Sequence, residues 1–169
     1  MRTMNTDVES FHKKHGFPCN MDLRSNRVLD DTSILLDICK HLAEIAEKCK
    51  QPGLNSQHHG DERLYRTHLM VEELSEVIHA LAVRDEIALA DGTADLRYVV
   101  TGTDVTYGIP SEYVDEEVHA SNMSKSVRSK ADPRMKNKGL NYRPPNIARA
   151  ISLGRSAKNW HRNLEQEQP

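Results

Sequence analysis

The sequence predicts an all-α protein, a four-helix-bundle-like fold whose core is completed by oligomerisation. Apolar residues recur three and four apart along successive stretches, the stripe of half-buried helices. Stop signals punctuate them at Pro52-Gly53 and again at Gly108 and Pro110. The chain is also polar for a self-sufficient core. Of its 169 residues 37% are hydrophobic, and mean hydropathy is −0.68. Aromatics are limited to Phe11, Phe17, five Tyr and Trp160, so Leu, Ile, Val and Ala must fill the interior. Further copies of the chain are expected to finish it, in a homodimer or homotetramer.

The length suits one domain, expected over residues 1–145, with 146–169 a weakly ordered tail holding at most a short helix. Residues Phe11–Leu29, with Gly16, Pro18 and turn-prone Asn and Asp, predict an irregular lead-in. A first clear helix is expected over Ser33–Lys50, capped by the Asp30-Asp31-Thr32-Ser33 cluster and striped by Leu35, Ile38, Leu42, Ile45 and Cys49. A polar loop, Asn55–Gly60, follows. Its adjacent His58 and His59 are given no role. A second helix, Glu62–Val83, carries the stripe Leu64, Thr67, Val71, Leu74, Ile78 and Leu81. The chain then turns at Ala82–Asp85 into a third helix, Glu86–Tyr107. That helix contains Gly92 and Gly102, each costing about 1 kcal/mol relative to Ala. Close approach of another helix or of a ligand would explain them. Gly108 suits a left-handed cap and Pro110 prevents continuation. A short helix over Ser111–Ser124 turns Val114 and Val118 inward, and Lys125 opens a basic loop rich in Asn, Gly and Pro.

Charge is unevenly distributed although the net value is −2. Asp61–Asp95 holds nine acids against three Arg, whereas Ser124–Arg149 holds eight Lys and Arg against Asp132 alone. An acidic half followed by a basic half suits a metal site beside a site for an anionic ligand. Three cysteines, Cys19, Cys39 and Cys49, have no paired spacing and predict no disulfide framework; Cys39 and Cys49 read as small buried apolar residues. The polar start MRTMNTDVES is unlike a signal peptide and no apolar run approaches a membrane span, so a cytoplasmic location is expected.

The chemistry-bearing pattern is a pair of helical acid clusters. Glu72, Glu73 and Glu76 share one helix face, and Asp91 and Asp95 lie one turn apart on the next helix. Like charges at such spacing destabilise a free helix by a few tenths of a kcal/mol. Five carboxylates converging in a helical interior cannot all stay ionised without a cation. Mg²⁺ or Mn²⁺ takes oxygen ligands and would resolve the conflict. A solvated acidic face would account for the same residues.

The stretches HLMVEELSEVIHAL, ADGTADLRYVVTGTDVTYGIP, EEVHASNMSK and KGLNYRPP occur in that order, with FHKKHGFP near the start. Together they resemble MazG-like and phosphoribosyl-ATP-pyrophosphohydrolase-like proteins, nearest to small phage-type members, from about Phe11 to Pro145 with a break over Asn20–Gly60. The resemblance implies an all-α enzyme that cleaves a nucleoside triphosphate between its α and β phosphates, releasing monophosphate and pyrophosphate. It implies metal ligation by Glu73, Glu76 and Asp95. The family writes its second motif with a Glu where this chain has Gly92; Asp91, four residues before Asp95, can face the same side in its place. Glu72 is then the candidate water-orienting base or further ligand. For the polyphosphate the resemblance offers Asn122 and Lys125 of SNMSK, with Lys138, Tyr142 and Arg143 from the basic loop. His12 and Phe17 are candidates for the base pocket, and the subgroup likeness points to a purine nucleotide, dGTP or GTP. Two other readings remain open. Glu76-Val-Ile-His79 and Glu116-Glu-Val-His119 fit the spacing of a di-iron carboxylate bundle. The basic stretch would suit a non-enzymatic nucleic-acid-binding module, which the acid-rich half would oppose.

Overall fold

A computed structural model of the chain describes residues 3–24, 32–50, 60–126 and 138–166, with side chains as far as residue 157. The described residues form six helices and no strand: α1 Met4–His15, α2 Thr32–Cys49, α3 Glu62–Val83, α4 Glu86–Tyr107, α5 Ser111–Met123 and α6 Ile147–Gln166. The all-α class holds, with six helices in place of four. They fall into two compact units, a central one over Met21–Tyr107 and a terminal one made of Met1–Asn20 with Gly108–Pro169. The Asp30-Asp31 part of the first cap, the Pro52-Gly53 stop and the His58-His59 loop lie outside the described residues.

In the central unit, Asp61 caps α3 by accepting the Arg63 N–H at 2.9 Å. The Arg63 guanidinium beside it holds the Asp61 carboxyl down to about 2. The helix ends at Arg84, which takes the left-handed conformation at φ 59°. Asp85 then accepts the N–H groups of Ile87 and Ala88 at 3.0 Å each and starts α4. A turn of only Arg84 and Asp85 makes α3 and α4 an antiparallel hairpin.

Two glycines set its closeness. A Cβ on Gly92 would lie 3.2 Å from Val77 Cγ2, so the helices nearly touch there. Further along, Arg66 reaches over Gly102 to donate to the Val99 carbonyl at 2.6 Å and to Thr103 Oγ1 at 3.2 Å. α2 runs antiparallel to α3 on another side. There Cys39 Sγ donates to the Ser75 carbonyl at 3.5 Å, Ser75 Oγ donates to the Cys39 carbonyl at 3.4 Å, and His68 meets the Ala46 carbonyl at 3.1 Å. Cys39 and Cys49 are half-buried, less covered than expected, and all three cysteines are free.

In the terminal unit the expected irregular lead-in is corrected, because the chain is helical through His15. Thr3 and Thr6 form a reciprocal capping box, and Gly16 closes the helix at φ 70°. The helix is polar and short of apolar residues, so its signal lies in the caps rather than in a stripe. The expected C-terminal tail is likewise a 20-residue helix. Asn146 Oδ1 accepts the Arg149 N–H at 3.1 Å, while the Asn146 N–H donates to Glu117 of α5 at 2.9 Å. Small residues let α6 lie against α5: Ala150 is buried, and a Cβ on Gly154 would stand 2.3 Å from Pro110 Cβ. Gly108, at φ 64°, and Pro110 separate α4 from α5 as expected.

The core is thin. The buried apolar side chains among the described residues are Ala46, Ala80, Ala82 and Ala150, and no large side chain is fully buried. On α4, Ile87, Tyr98 and Val105 are all more than three-quarters exposed. Packing at Gly154 gives a direct check on α6. Gly154→Val places two methyls against the Pro110 ring and Tyr113, and overpacking of this kind costs about 1–3 kcal/mol. Urea unfolding should show that loss; a variant as stable as the parent would mean that α6 does not pack on α5.

Candidate metal and nucleotide site

The acids expected to bind metal all sit on the α3–α4 hairpin. The antiparallel register given by Val77 with Gly92 and Arg66 with Gly102 brings Glu73 to the level of Asp95. Glu73 is half-buried, while Glu72, Glu76, Asp91 and Asp95 are exposed. Burial raises the proton affinity of the Glu73 carboxyl, and the negative charges of Glu76, Asp95, Glu72 and Asp91 raise it further, in that order of strength. All five carboxylates are therefore within electrostatic reach of one another at Glu73. They form an outward face of the hairpin, which corrects the expectation of a helical interior. The reason is that α2 packs on α3 through Cys39, Ala46, His68 and Ser75, leaving the acidic face uncovered by α2.

Position 92, where a Glu was expected by resemblance, is turned into the contact with Val77 and is buried. Asp91 beside it is exposed but contributes least to the field at Glu73. Among the described residues, no three His, Cys, Asp or Glu side chains stand close enough to hold a metal ion. The acids are thus near enough to repel but not drawn in to ligation distance. Their chemistry nevertheless fits a hard divalent cation, which takes carboxylate oxygens and neutralises the charge that otherwise accumulates.

His68, unremarked in the sequence, enters this face from behind. Its Nε2 lies 3.5 Å from Glu72 Oε2. It belongs to the stripe side of α3, where a helical His reads as packing.

The other candidate residues lie in the terminal unit. Lys125 Nζ donates to Asn122 Oδ1 at 2.7 Å, and both side chains are half-buried, so the two motif residues act as a pair. Lys14 Nζ donates to the Met123 carbonyl at the end of α5. Between these lysines His15 is buried against the Phe11 ring, centroids 4.4 Å apart. Its Nε2 is the one buried side-chain N or O atom among the described residues without a hydrogen-bond partner. Burial first, then the Lys14 and Lys125 charges, lowers its proton affinity and favours neutral imidazole.

Lys138 Nζ lies 4.9 Å from the centre of the Tyr142 ring, a cation–π contact. The Arg143 N–H donates to Ser124 Oγ at 2.9 Å, which ties the end of the basic loop to the SNMSK segment. His12 and Phe17 pack on each other, ring centres 5.3 Å apart, while His12 Nδ1 meets the Pro18 carbonyl at 3.0 Å. The FHKKHGFP motif thus forms the C-terminal cap of α1. A cavity of about 470 Å³ opens between α1 and α5, lined by Asp7, Val8, Phe11, Glu116, His119 and Asn122 among others. His119 Nε2 faces Asp7 Oδ1 there at 3.7 Å.

Residues 41–122 match the phosphoribosyl-ATP pyrophosphohydrolase family. The chain carries a domain of that family. Phosphoribosyl-ATP pyrophosphohydrolase domains belong to the MazG-like superfamily; members are pyrophosphohydrolases acting on nucleoside triphosphates and are generally Mg²⁺-dependent. The match contains all five carboxylates and His68 and ends at Asn122, so FHKKHGFP, Lys125 and NYRPP lie outside it. No curated protein and no solved structure matches the chain. None of the described helices is long and apolar enough to cross a membrane.

The raised proton affinity of Glu73 has a stability consequence. A carboxyl that binds its proton more tightly when folded favours the fold at low pH, and that contribution is lost as pH rises above the ordinary value of 4.5 through the folded value. At neutral pH without divalent metal, Glu73 is therefore a liability. Glu73→Gln should hold or raise the thermal midpoint at pH 7.5 and flatten its fall as pH rises above 4.5. Adding Mn²⁺ should raise the parent's midpoint more than the variant's. A lower midpoint for the metal-free variant would show that Glu73 has a favourable partner.

Proposed function

We propose that this pyrophosphohydrolase domain acts on a purine nucleoside triphosphate, dGTP or GTP first, cleaving between the α and β phosphates with Mg²⁺ or Mn²⁺. The observation that carries the reading is the charge held around Glu73. Four further carboxylates raise its proton affinity, and all five fall within the matched segment. The purine preference rests on the likeness of the motifs to small phage-type members.

In this reading Glu73, Glu76, Asp95 and Asp91 hold the cation. A divalent cation so held lowers the pKa of bound water and neutralises phosphate charge. Glu72 accepts a proton from the attacking water, a task for a carboxylate within hydrogen-bond reach of the nucleophile. Asn122 orients the Lys125 ammonium through their 2.7 Å bond, and Lys125 takes a terminal phosphate oxygen. Lys138 and Arg143 add cationic partners, Tyr142 caps a phosphate, and His12 and Phe17 line the base pocket. Residues 1–145 form the functional domain.

We also infer that the chain works as a homodimer or homotetramer. The thin core, whose buried apolar side chains among the described residues are all alanine, and the exposed Ile87, Tyr98 and Val105 on α4 support this.

Turnover of the eight common NTPs and dNTPs, with products separated by chromatography, tests the reading. Monophosphate plus pyrophosphate from dGTP or GTP supports it, whereas release of orthophosphate, or no turnover of any member, overturns it. EDTA should abolish turnover and Mg²⁺ or Mn²⁺ restore it. Glu76→Gln and Asp95→Asn should each lower kcat by several orders of magnitude while circular dichroism stays helical; near-normal activity in both would remove the acids from the site.

Lys125→Ala separates phosphate binding from general basicity. A charge-assisted hydrogen bond contributes about 1.5–3 kcal/mol, roughly ten- to a hundredfold in kcat/KM. Triphosphate turnover should fall by that factor while affinity for the monophosphate, which lacks the outer phosphates, hardly changes. Equal losses for both ligands would mean that Lys125 acts only through its field.

A further inference from the structure

We propose that Lys14 pairs with Lys125 to form a diphosphate-binding clamp at the C-terminal end of α5, taking the outer two phosphates of a nucleoside triphosphate or the pyrophosphate released from it. This rests on the reading of Lys125 as a phosphate ligand. What it adds is a second ammonium group, supplied by α1. The two side chains are anchored on neighbouring residues. Lys14 Nζ donates to the Met123 carbonyl, and Lys125 Nζ donates to Asn122 Oδ1 at 2.7 Å. Lys125 is itself held by the last turn, where its backbone N–H donates to the Asn122 carbonyl at 3.2 Å.

Two like charges gathered at one place are unfavourable unless something of opposite sign joins them. Among the described residues no carboxylate forms an ion pair with either lysine. Lys13, next to Lys14 on the same helix, does have one: its Nζ lies 2.6 Å from Glu9 Oε1. The carbonyls at the end of α5 supply roughly half a negative charge against two full positive ones, so the surplus is positive. Both charges act on the His15 imidazole, and no carboxylate is among the causes that shift its proton affinity. A diphosphate group carries enough negative charge to meet both ammonium groups at once, through charge-assisted hydrogen bonds. Lys14 is exposed and bears its ammonium on a flexible stem, so it can exchange the Met123 carbonyl for a phosphate oxygen. Lys125 keeps its bond to Asn122 and donates with its remaining hydrogens.

Calorimetric titration of the full chain with inorganic pyrophosphate in EDTA tests the clamp without a metal ion. Pyrophosphate should bind the parent more tightly than orthophosphate does. Lys14→Met keeps the apolar stem and removes the charge. It should weaken pyrophosphate about tenfold, the lower end for a charge-assisted hydrogen bond, because Lys14 gives up Met123 on binding. Lys14→Arg should recover most of the loss. Lys13→Met should bind as the parent does, since Glu9 already balances that charge. The His15 ring reports occupancy by a separate route. Pyrophosphate between the lysines offsets their field, so the midpoint of the His15 ring titration, followed by nuclear magnetic resonance, should rise. The rise should be smaller in Lys14→Met.

Turnover separates the two sources of the diphosphate. With the best substrate of the nucleotide panel, a KM raised by a similar factor in Lys14→Met puts the outer phosphates of the substrate in the clamp. An unchanged KM with weakened pyrophosphate binding assigns the clamp to the released product. No pyrophosphate binding by the parent in EDTA, orthophosphate binding as tight as pyrophosphate, an equal loss in Lys13→Met, or a His15 midpoint indifferent to pyrophosphate would each overturn the proposal. A Lys14→Met variant with a lower thermal midpoint but unchanged pyrophosphate affinity would also overturn it, leaving Lys14 as a cap on α5. If the parent hydrolyses no nucleotide while pyrophosphate binding still depends on Lys14 and Lys125, the reading of the site fails and the clamp stands. If Lys125→Ala weakens pyrophosphate and Lys14→Met does not, the clamp fails and the part read for Lys125 stands.

Discussion

The near-contact of α3 and α4 at Gly92 is the constraint on which the acidic face depends. A side chain there would crowd Val77, whose Cγ2 lies 3.2 Å from the place a Cβ would take. With the helices this close, Glu73 and Asp95 stay level with each other and five carboxylates share one short stretch of surface. Packing at the glycine works against electrostatics at the acids. Arg66 supports the packing from the other end, where its guanidinium occupies the space left by Gly102 and binds backbone and hydroxyl oxygens of α4. The hairpin is therefore pinned at two points.

The terminal unit shows the opposite sign and a different construction. Lys14 and Lys125 gather where α1 and α5 end, each held by an oxygen from the end of α5. Cations suit that location, since the carbonyls at a helix C-terminus carry partial negative charge. Burial, and then the charges of the same lysines, lower the proton affinity of the His15 imidazole.

Much of this was readable from residues, and the boundaries that were readable had strong punctuation. The limits of α3 and α4 coincide with the expected ones because Asp61, the Arg84-Asp85 turn and Gly108 are all unambiguous signals. α1 and α6 were not foreseen at their full length. Their stripes are weak, and their evidence lies in a Thr-Thr capping box, in Asn146 and in small residues such as Gly154 that gain meaning only when a neighbour is known. The spacing places Glu72, Glu73 and Glu76 on one helix face, but it does not give their exposure, because nothing in the pattern says which side of α3 receives α2. The contact of His68 with the Ala46 carbonyl was hidden for the same reason, since it exists only once α2 lies opposite.

The two-residue turn at Arg84-Asp85 also bears on how the molecule forms. Contacts across such a short connection close a small loop, and small loops are formed quickly and at little cost in chain entropy. The hairpin needs no residue from α5 or α6 for its own closure. Closing it brings the carboxylates together, and with them their mutual repulsion. Divalent cations in the surrounding medium would screen that repulsion and so favour closure of the hairpin.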